Sequence, residues 1–234
     1  METTSLRIIA RIHSEFPTKF GIPRQSGLID SRRATIVFEP EFRSPEALRG
    51  IEGYTHLWLL WQFSECVGKD WSPTVRPPRL GGNRRVGVFA TRAPYRPNPI
   101  GLSSVKLEEV RLNTPDGPTL VVSGADLMDG TPIYDIKPYL AYVDSHPEAT
   151  DGFALSQKEG VLAVDCPDEL LLLLPESRRQ ALLDVLSQDP RPQYQNDPER
   201  VYQFEFAGVH VEFSVDGDVL AVKKIVDAAN NFGK

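Results

Sequence analysis

The sequence lacks the features on which several large protein classes depend. Its 234 residues include only two cysteines, too few for a disulfide framework, and no apolar run is longer than five residues. A membrane-spanning helix needs about 20 such residues, and the N-terminus lacks the basic start and long apolar core of a secretory signal. With 41% hydrophobic and 25% charged residues, the composition is typical of a globular protein, which we expect in the cytoplasm with no membrane partner.

The sequence motifs of the common cofactor and metal sites are also missing. There is no GxGxxG, no GxxxxGK[ST] and no GxSxG, which argues against a dinucleotide fold, a P-loop and a nucleophile elbow. The four histidines are scattered without HExxH or a Cys/His pair at ligand spacing, so we expect no metal site. Cys66 follows an apolar run, and we interpret it as a free core thiol rather than a nucleophile. His56 lies inside that run, and we interpret it as a core or wall histidine.

Acidic residues are absent from one long segment of an otherwise acidic chain. Residues 1–145 carry 18 Lys and Arg against 16 Asp and Glu, whereas residues 146–234 carry 8 against 16. Residues 71–107, the basic segment, contain no acid. This pattern favours an anionic partner, with phosphate the first candidate, although a solvated basic face remains the alternative. Its cations are Arg76, Arg79, Arg84, Arg85, Arg92, Arg96 and Lys106.

Hydrophobic patterning predicts a mainly β protein. β-branched and alternating runs, separated by Pro, Gly, Asn and Asp, predict strands, and Ser44-Pro45-Glu46 predicts the start of a short helix that Gly50 ends. Residues 54–63 are mostly apolar and aromatic, and this segment suits a strand buried on both faces. Strands at this spacing predict a closed or nearly closed single-sheet β-barrel up to about residue 145. The predicted strands are 6–14, 34–39, 54–63, 86–91, 103–110 and 119–125.

The chain changes character after His146-Pro147. Residues 175–188 have helical spacing, and residues 209–215 alternate before Asp216-Gly217 turns the chain into 219–225, which predicts a β-hairpin. We therefore predict a barrel domain at 1–146 and a small α+β domain at 147–234. The predicted inward face of the helix is Ala181, Leu182, Val185 and Leu186.

Three segments are hard to explain by packing alone. The first loop, residues 21–27, offers backbone N–H groups and a Gln-Ser pair, although an ordinary turn would look the same. The proline-rich loop, residues 92–99, has three prolines that stiffen it while it presents Arg92, Tyr95, Arg96 and Asn98, which indicates a functional loop. The acidic segment, residues 126–139, combines three acids with two tyrosines, and suits either a ligand or a structural ion pair.

These segments carry a family resemblance. RIHSEFPTKFGIPRQSGL, RVGVFATRAPYRPNPIGLSSVKL and SGADLMDGTPIYDIKPYL resemble the motifs of the TrmO family of S-adenosylmethionine-dependent tRNA methyltransferases, over residues 5–145. DPRPQYQNDPERVY at 189–202 is similar to the C-terminal domain of its longer members. The resemblance implies a single-sheet β-barrel, a homodimer, and N6-methylation of threonylcarbamoyladenosine at position 37 of threonine tRNAs.

The resemblance also implies site residues. Ser64 and Glu65 align with a further cofactor-contacting strand end, in a more variable stretch. The matching S-adenosylmethionine-binding positions are Gln25, Ser26, Gly27, Arg92, Leu102, Asp129, Gly130, Thr131 and Pro132.

We assign further residues to the acceptor as hypotheses. The N6 lone pair is delocalised into a carbonyl, so methylation requires loss of the N6 proton, for which Tyr134 and Asp135 are the candidates. Arg96 and Asn98 are expected to hold the threonyl carboxylate or the carbamoyl oxygen, and Tyr95 to stack on the purine. The basic segment would then contact the phosphates of the tRNA anticodon stem-loop.

Two other functions stay open at this stage. One is a non-catalytic RNA-binding or ligand-sensing barrel, and the other is a methyltransferase with a different acceptor. We expect truncation after about residue 146 to leave a folded barrel that binds cofactor but methylates tRNA poorly. A local contribution of the second part to tRNA binding would come from Arg191, Tyr194, Arg200 and Tyr202.

Overall fold

The computed structural model describes residues 2–19, 21–23, 25–29, 32–77, 84–153, 161–191 and 197–228. Arg24, Arg79 and Tyr194, which the sequence analysis singled out, lie outside these ranges. In the first part of the chain the strands are β1 (Ala10–His13), β2 (Arg33–Phe38), β3 (His56–Gln62), β4 (Thr74–Val75), β5 (Val86–Gly87), β6 (Ile100–Arg111), β7 (Thr119–Ser123) and β8 (Pro132–Pro138). Its helices are 3-10 turns at Pro40–Phe42, Pro45–Leu48, Ile51–Gly53, Ser64–Cys66 and Val88–Ala90, and α1 (Ala141–Asp144).

Six of these strands close into an antiparallel barrel. Their order is β1-β2-β7-β6-β3-β8, and β8 pairs back to β1 through Ala10 and Ile133. Alternate residues point inward and fill the barrel, so that Ile12, Ile36 and Leu57 have no exposed surface. The β-barrel predicted from the sequence is therefore confirmed.

The strand at 54–63 does not have the predicted burial. β3 fully buries only every second residue, on the face that points into the barrel. The residues on its outer face are at most partly buried. Trp58 lies on this outer face, where its Nε1–H donates to Asp144 Oδ2 at 2.9 Å. His56 is exposed at the start of the strand, so of its two interpretations, core or wall, the placement in the core was wrong.

Three strand boundaries also differ from prediction. β1 starts at Ala10 instead of residue 6, and Ala10 pairs with Phe38, the last residue of β2. Residues 86–91 form only the two-residue β5 and then a 3-10 turn, in which the Thr91 N–H donates to Val88 O at 3.1 Å. β8 was not predicted as a strand; its first residue, Pro132, needs no N–H at that position.

The second part of the chain forms a small sheet with helices. Its strands have the order β10-β11-β12-β9, with β9 parallel to β12. The predicted helix and its inward face are confirmed by α3, and the predicted hairpin is confirmed by β11 and β12. The elements are β9 (Ala163–Asp165), α2 (Asp168–Leu171), α3 (Glu176–Ser187), β10 (Tyr202–Phe206), β11 (Val209–Asp216) and β12 (Val219–Asp227).

The hydrophobic core of this second part includes residues from the start of the chain. Phe16 and Ile29 are buried in it, and the Phe16 ring meets Phe206 edge to face at 5.8 Å. The Ala207 N–H donates to the Glu15 carbonyl at 3.2 Å, and the Glu15 carboxylate forms an ion pair with Arg178 of α3. The boundary near residues 145–150 stays a prediction, but residues 15–29 belong to both parts by their contacts.

Candidate active site

A cavity of about 540 Å³ opens at one end of the barrel. The end of β3 and the start of β6 form one wall, and the first loop and the proline-rich loop form others. This volume lies within the range of pockets that enclose a nucleoside-sized ligand. The wall residues include Trp61, Gln62, Gly101, Leu102, Met128 and Thr131.

The structure brings some of the sequence-predicted residues to this cavity and leaves others out of its lining. The residues that line it are Gln25, Arg92, Arg96, Leu102 and Thr131, together with the weaker candidates Ser64 and Glu65. The sequence-predicted residues that do not line the cavity are Ser26, Gly27, Asn98, Asp129, Gly130, Pro132, Tyr134 and Asp135.

Ser26 and Gly27 fix the first loop onto the barrel. Ser26 Oγ accepts the Ser104 N–H at 3.2 Å, and the Gly27 N–H donates to Gly124 O at 2.9 Å. Gly27 has φ of 75°, a left-handed conformation that glycine adopts without steric cost. These contacts hold Gln25 at the cavity, where its Oε1 accepts a hydrogen bond from Arg92.

Asp129 and Gly130 perform a similar bracing role on the other side. Asp129 Oδ1 accepts the Ser14 N–H at 3.0 Å, and the Asp129 N–H donates to Phe16 O at 2.8 Å. The Gly130 N–H donates to Ile12 O at 2.8 Å. The acidic segment is thereby tied to β1 and to the chain that follows it, and Thr131 is the residue of this turn that reaches the cavity.

A partly buried acid of the cavity is Asp126, which the sequence analysis did not select. Asp126 Oδ1 accepts the Ser103 hydroxyl at 2.6 Å, and Ser103 Oγ in turn accepts the Trp61 Nε1–H at 2.9 Å. Burial raises the pKa of Asp126, and the Ser103 hydrogen bond and the Arg92 charge oppose the shift in part. A signal was present in the sequence, because Asp126 directly follows the apolar run that ends at Ala125.

A buried arginine lies near this acid. The guanidinium of Arg32 covers the Phe16 ring at 3.7 Å, and its Nε and Nη1 make no hydrogen bond with any residue that the structure describes. Burial lowers the pKa of Arg32 to about 9, while the Asp126 carboxylate favours the charged form. Asp126 therefore sits in the field of two guanidinium groups, from Arg32 and Arg92.

The proline-rich loop is held together by Arg96. Its Nη1 donates to Thr91 O at 2.6 Å and to Val88 O at 3.1 Å, and its guanidinium covers the Phe89 ring at 5.6 Å. Arg96 thus replaces the backbone hydrogen bonds that prolines cannot make. Asn98, in the same loop, is exposed.

Tyr134 and Asp135 lie on β8, outside the cavity lining. Burial raises the pKa of Tyr134, and a hydrogen bond to its hydroxyl from Gln62, a cavity residue, opposes the shift. Asp135 Oδ2 forms an ion pair with Lys137 at 2.8 Å. Tyr134 is therefore one side chain away from the cavity, whereas Asp135 is held by its own strand neighbour.

The rim of the cavity carries charged and nucleophilic side chains. Lys19 Nζ bonds Glu65 Oε2 at 3.0 Å, which raises the pKa of Lys19. Cys66 is half-buried and lines the cavity, so its interpretation as a core thiol was wrong. Within the described ranges, no three His, Cys, Asp or Glu side chains are grouped so that they could hold a metal ion.

Aromatic and basic side chains surround the proline-rich loop on the protein surface. Trp71, Phe89 and Tyr95 leave 50%, 73% and 48% of their surface exposed, and the Ser72 N–H donates to Tyr95 O at 3.3 Å, which links two of them. Arg84 and Arg85 are exposed in the same basic segment. Exposed aromatics among cations are typical of surfaces that bind single-stranded nucleic acid. No helix within the described ranges has the length and apolarity that a membrane span requires.

Comparisons with known proteins match both parts of the chain. A family model described as the tRNA-methyltransferase O N-terminal domain matches residues 11–145, and one described as the TrmO C-terminal domain matches residues 169–228. The tRNA (adenine(37)-N6)-methyltransferase of Escherichia coli (strain K12) is 42% identical over 205 residues, which cover 85% of this chain and 87% of that protein. The Eikenella corrodens protein of the same name is 44% identical over 174 residues, 74% of this chain and 97% of that protein.

A solved structure is similar over nearly the whole chain. It is the crystal structure of TrmO from Pseudomonas aeruginosa, with a TM-score of 0.76 and 34% identity over 96% of this chain and 99% of that one. The likeness therefore includes both the barrel and the second part.

Proposed function

The chain belongs to the tRNA-methyltransferase O family and is a tRNA adenine-37 N6-methyltransferase, and we propose that its methyl donor is S-adenosylmethionine and its acceptor N6-threonylcarbamoyladenosine. The observation that carries the proposal is the cavity at the barrel end, in which a partly buried carboxylate, Asp126, lies in the field of Arg92.

The donor set of the cavity fits the cofactor. S-adenosylmethionine ends in an ammonium and a carboxylate, for which Asp126 and Arg92 are the complementary charges. Leu102, Trp61 and Met128 supply apolar wall for the adenosine part. When bound, S-adenosylmethionine supplies a methyl group on a sulfonium whose positive charge disappears in the transfer. Asp126 and Arg92 would bind its methionine end, and Gln25 would hold Arg92 in place.

The acceptor side is proposed on the proline-rich loop and β8. Because Nη1 of Arg96 already donates to the carbonyls of Val88 and Thr91, we assign Arg96 to shaping the proline-rich loop. We assign Asn98 and Tyr95 to contacting the modified base. Tyr134 keeps its proton at neutral pH, as a tyrosine with its ordinary pKa of 10.0 does, and burial raises this pKa further; the hydroxyl therefore suits a hydrogen bond to the carbamoyl oxygen. Such a bond withdraws electrons from N6 and eases loss of its proton.

The tRNA itself is proposed to lie on the surface of exposed cations and aromatics. Arg84 and Arg85 would contact phosphates, and Trp71 and Phe89 would stack on unpaired bases of the anticodon loop. The family resemblance adds a homodimer and a cytoplasmic enzyme to the proposal, and sizing chromatography with light scattering tests the first of these.

The function is tested by methylating defined tRNA. Purified protein is incubated with S-adenosylmethionine and threonine tRNA from a strain lacking the enzyme, and the nucleosides are analysed by mass spectrometry. We expect N6-methyl-threonylcarbamoyladenosine to form, in the presence of chelator as well. Methylation of tRNA that lacks the threonylcarbamoyl group to the same extent would contradict the acceptor, and binding without methylation would favour a non-catalytic barrel.

A further inference from the structure

The backbone of the first loop lies very close to the second part of the chain at Gly21. Gly21 is buried with φ of 84°, and a Cβ built on it would lie 2.5 Å from Cδ2 of Phe204. Phe204 belongs to β10 and is 4% exposed. The backbone of the first loop therefore lies directly on an aromatic ring of the C-terminal sheet, at a distance that only glycine allows.

The residues next to Gly21 connect this contact to the cavity. Ile22 packs against the C-terminal core and also lines the cavity, and Pro23 and Gln25 line it too. Ile29, just beyond the first loop, is buried in the same core. A displacement of the C-terminal sheet would therefore move the wall of the cavity from which Gln25 bonds Arg92.

A second connection reaches the acidic segment. The Phe16 ring is fully buried in the C-terminal core, whereas its carbonyl accepts the Asp129 N–H at 2.8 Å. Glu15, one residue earlier, is held by Ala207 and Arg178 of the C-terminal part. The first loop and the acidic segment, which both line the cavity, are thus tied to the C-terminal sheet by neighbouring residues.

We propose that the C-terminal sheet positions the first loop, which lines the cofactor cavity, and that Phe204 is the positioning residue. Phe204 does not line the cavity and acts through Gly21 and Ile22. A loop that is held in its bound conformation before the ligand arrives binds with less loss of conformational entropy. The second part of the enzyme therefore sets the affinity for the methyl donor, from outside the barrel. This inference rests on the proposed function, because it places S-adenosylmethionine in the cavity.

Three variants of the full-length chain test the proposal. Phe204→Ala removes the ring under Gly21. Leu220→Ala is the matched control, since Leu220 is fully buried in the same core but lies on β12, two strands away from β10. Gln203→Ala is the surface control, because Gln203 is exposed on β10 itself. S-adenosylmethionine affinity is measured by calorimetry at a temperature at which thermal scans show every variant folded.

We expect Phe204→Ala to weaken S-adenosylmethionine binding about tenfold, and Leu220→Ala and Gln203→Ala to leave it within about twofold of wild type. Phe204→Leu, which keeps an apolar side chain under the loop, should recover part of the affinity. Equal loss in Phe204→Ala and Leu220→Ala would show that core stability alone matters, and unchanged affinity in Phe204→Ala would overturn the proposal. Absence of binding by the wild-type protein would instead contradict the proposed function.

The Gly21 side of the contact gives an independent measurement. Gly21→Ala introduces a methyl group that collides with the Phe204 ring, in addition to the strain of a positive φ. In the double variant with Phe204→Leu the collision is relieved but the strain remains. A double-mutant cycle on cofactor affinity should therefore show coupling between the two positions. Additive effects would mean that the cofactor affinity does not depend on the contact between Gly21 and Phe204.

Discussion

Replacing Asp126, the partly buried acid of the cavity, should weaken cofactor binding without lowering the stability of the ligand-free protein. Asp126→Asn keeps the size of the side chain and an oxygen that accepts the Ser103 hydroxyl, which lies 2.6 Å from Asp126 Oδ1. It removes the negative charge that we pair with the ammonium of the methyl donor. The variant therefore changes the electrostatics of the cavity with little change in its shape.

The loss of affinity follows from the kind of hydrogen bond that is replaced. A bond to a charged group contributes about 1.5–3 kcal/mol and a neutral one about 0.5–1.5 kcal/mol. The difference of about 1–2 kcal/mol corresponds to roughly five- to thirtyfold weaker binding. We expect calorimetry with S-adenosylmethionine to show a decrease in this range.

The stability of the ligand-free protein should respond in the opposite sense. Because burial raises the pKa of Asp126 above its ordinary value of 3.8, the folded state binds the proton more tightly than the unfolded state does. The charged carboxylate thus lowers the free energy of unfolding at neutral pH, and this penalty disappears as the pH falls through the raised pKa. Asp126→Asn should be at least as stable as wild type at neutral pH, with the difference shrinking in acid.

The matched control is Glu109→Gln, which removes the same charge from an exposed position outside the cavity. Its cofactor affinity and its stability should stay close to those of wild type. Wild-type affinity in Asp126→Asn would show that the carboxylate does not contact the ligand. A large loss of stability at neutral pH would refute the argument that burial disfavours its charge.

Other substitutions test the cavity wall, the proline-rich loop and the tRNA surface. Gly101→Ala places a methyl group on the indole of Trp61, and overpacking of this kind costs about 1–3 kcal/mol, which should lower the melting temperature and weaken cofactor binding in titrations. Arg96→Ala removes two bonds to loop carbonyls and should reduce both cofactor affinity and methylation rate, whereas a loss of rate alone would assign Arg96 to the acceptor. Replacing both Arg84 and Arg85 by alanine should weaken tRNA binding and reduce its salt dependence by a slope of about 1–2, measured by filter binding; an unchanged slope would place the phosphates elsewhere.

Local patterns in the sequence predicted local structure well. The helical spacing of Ala181, Leu182, Val185 and Leu186 identified the buried face of α3, because a helix places its residues by spacing alone. The alternation in 209–215 likewise identified a strand of the hairpin. The same reasoning failed for His56, because whether the first residue of a strand is buried depends on where the neighbouring strands end.

The candidate site was harder to predict for a related reason. Asp126 and Asp129 are three residues apart in one motif, and composition gives no reason to prefer either. The pairing of β1 with β8 and the hydrogen bond from the Asp129 N–H to Phe16 direct one acid outward, while the other packs against Ser103. The pairing of β1 with β8 and the hydrogen bond to Phe16 join segments that are more than a hundred residues apart in the chain, which local patterns do not report.

The contact between residues 15–29 and the C-terminal sheet has a consequence for biosynthesis. The ribosome makes Phe16 and Gly21 well before β10, which carries Phe204 and Phe206. Contacts between such distant segments form late in folding. A nascent chain that has already closed its barrel therefore still lacks the support of the first loop. In contrast to the expectation from the sequence alone, we therefore expect a barrel without this support to bind the methyl donor poorly, so that methylating activity begins only after β10 has been made and has packed against the first loop.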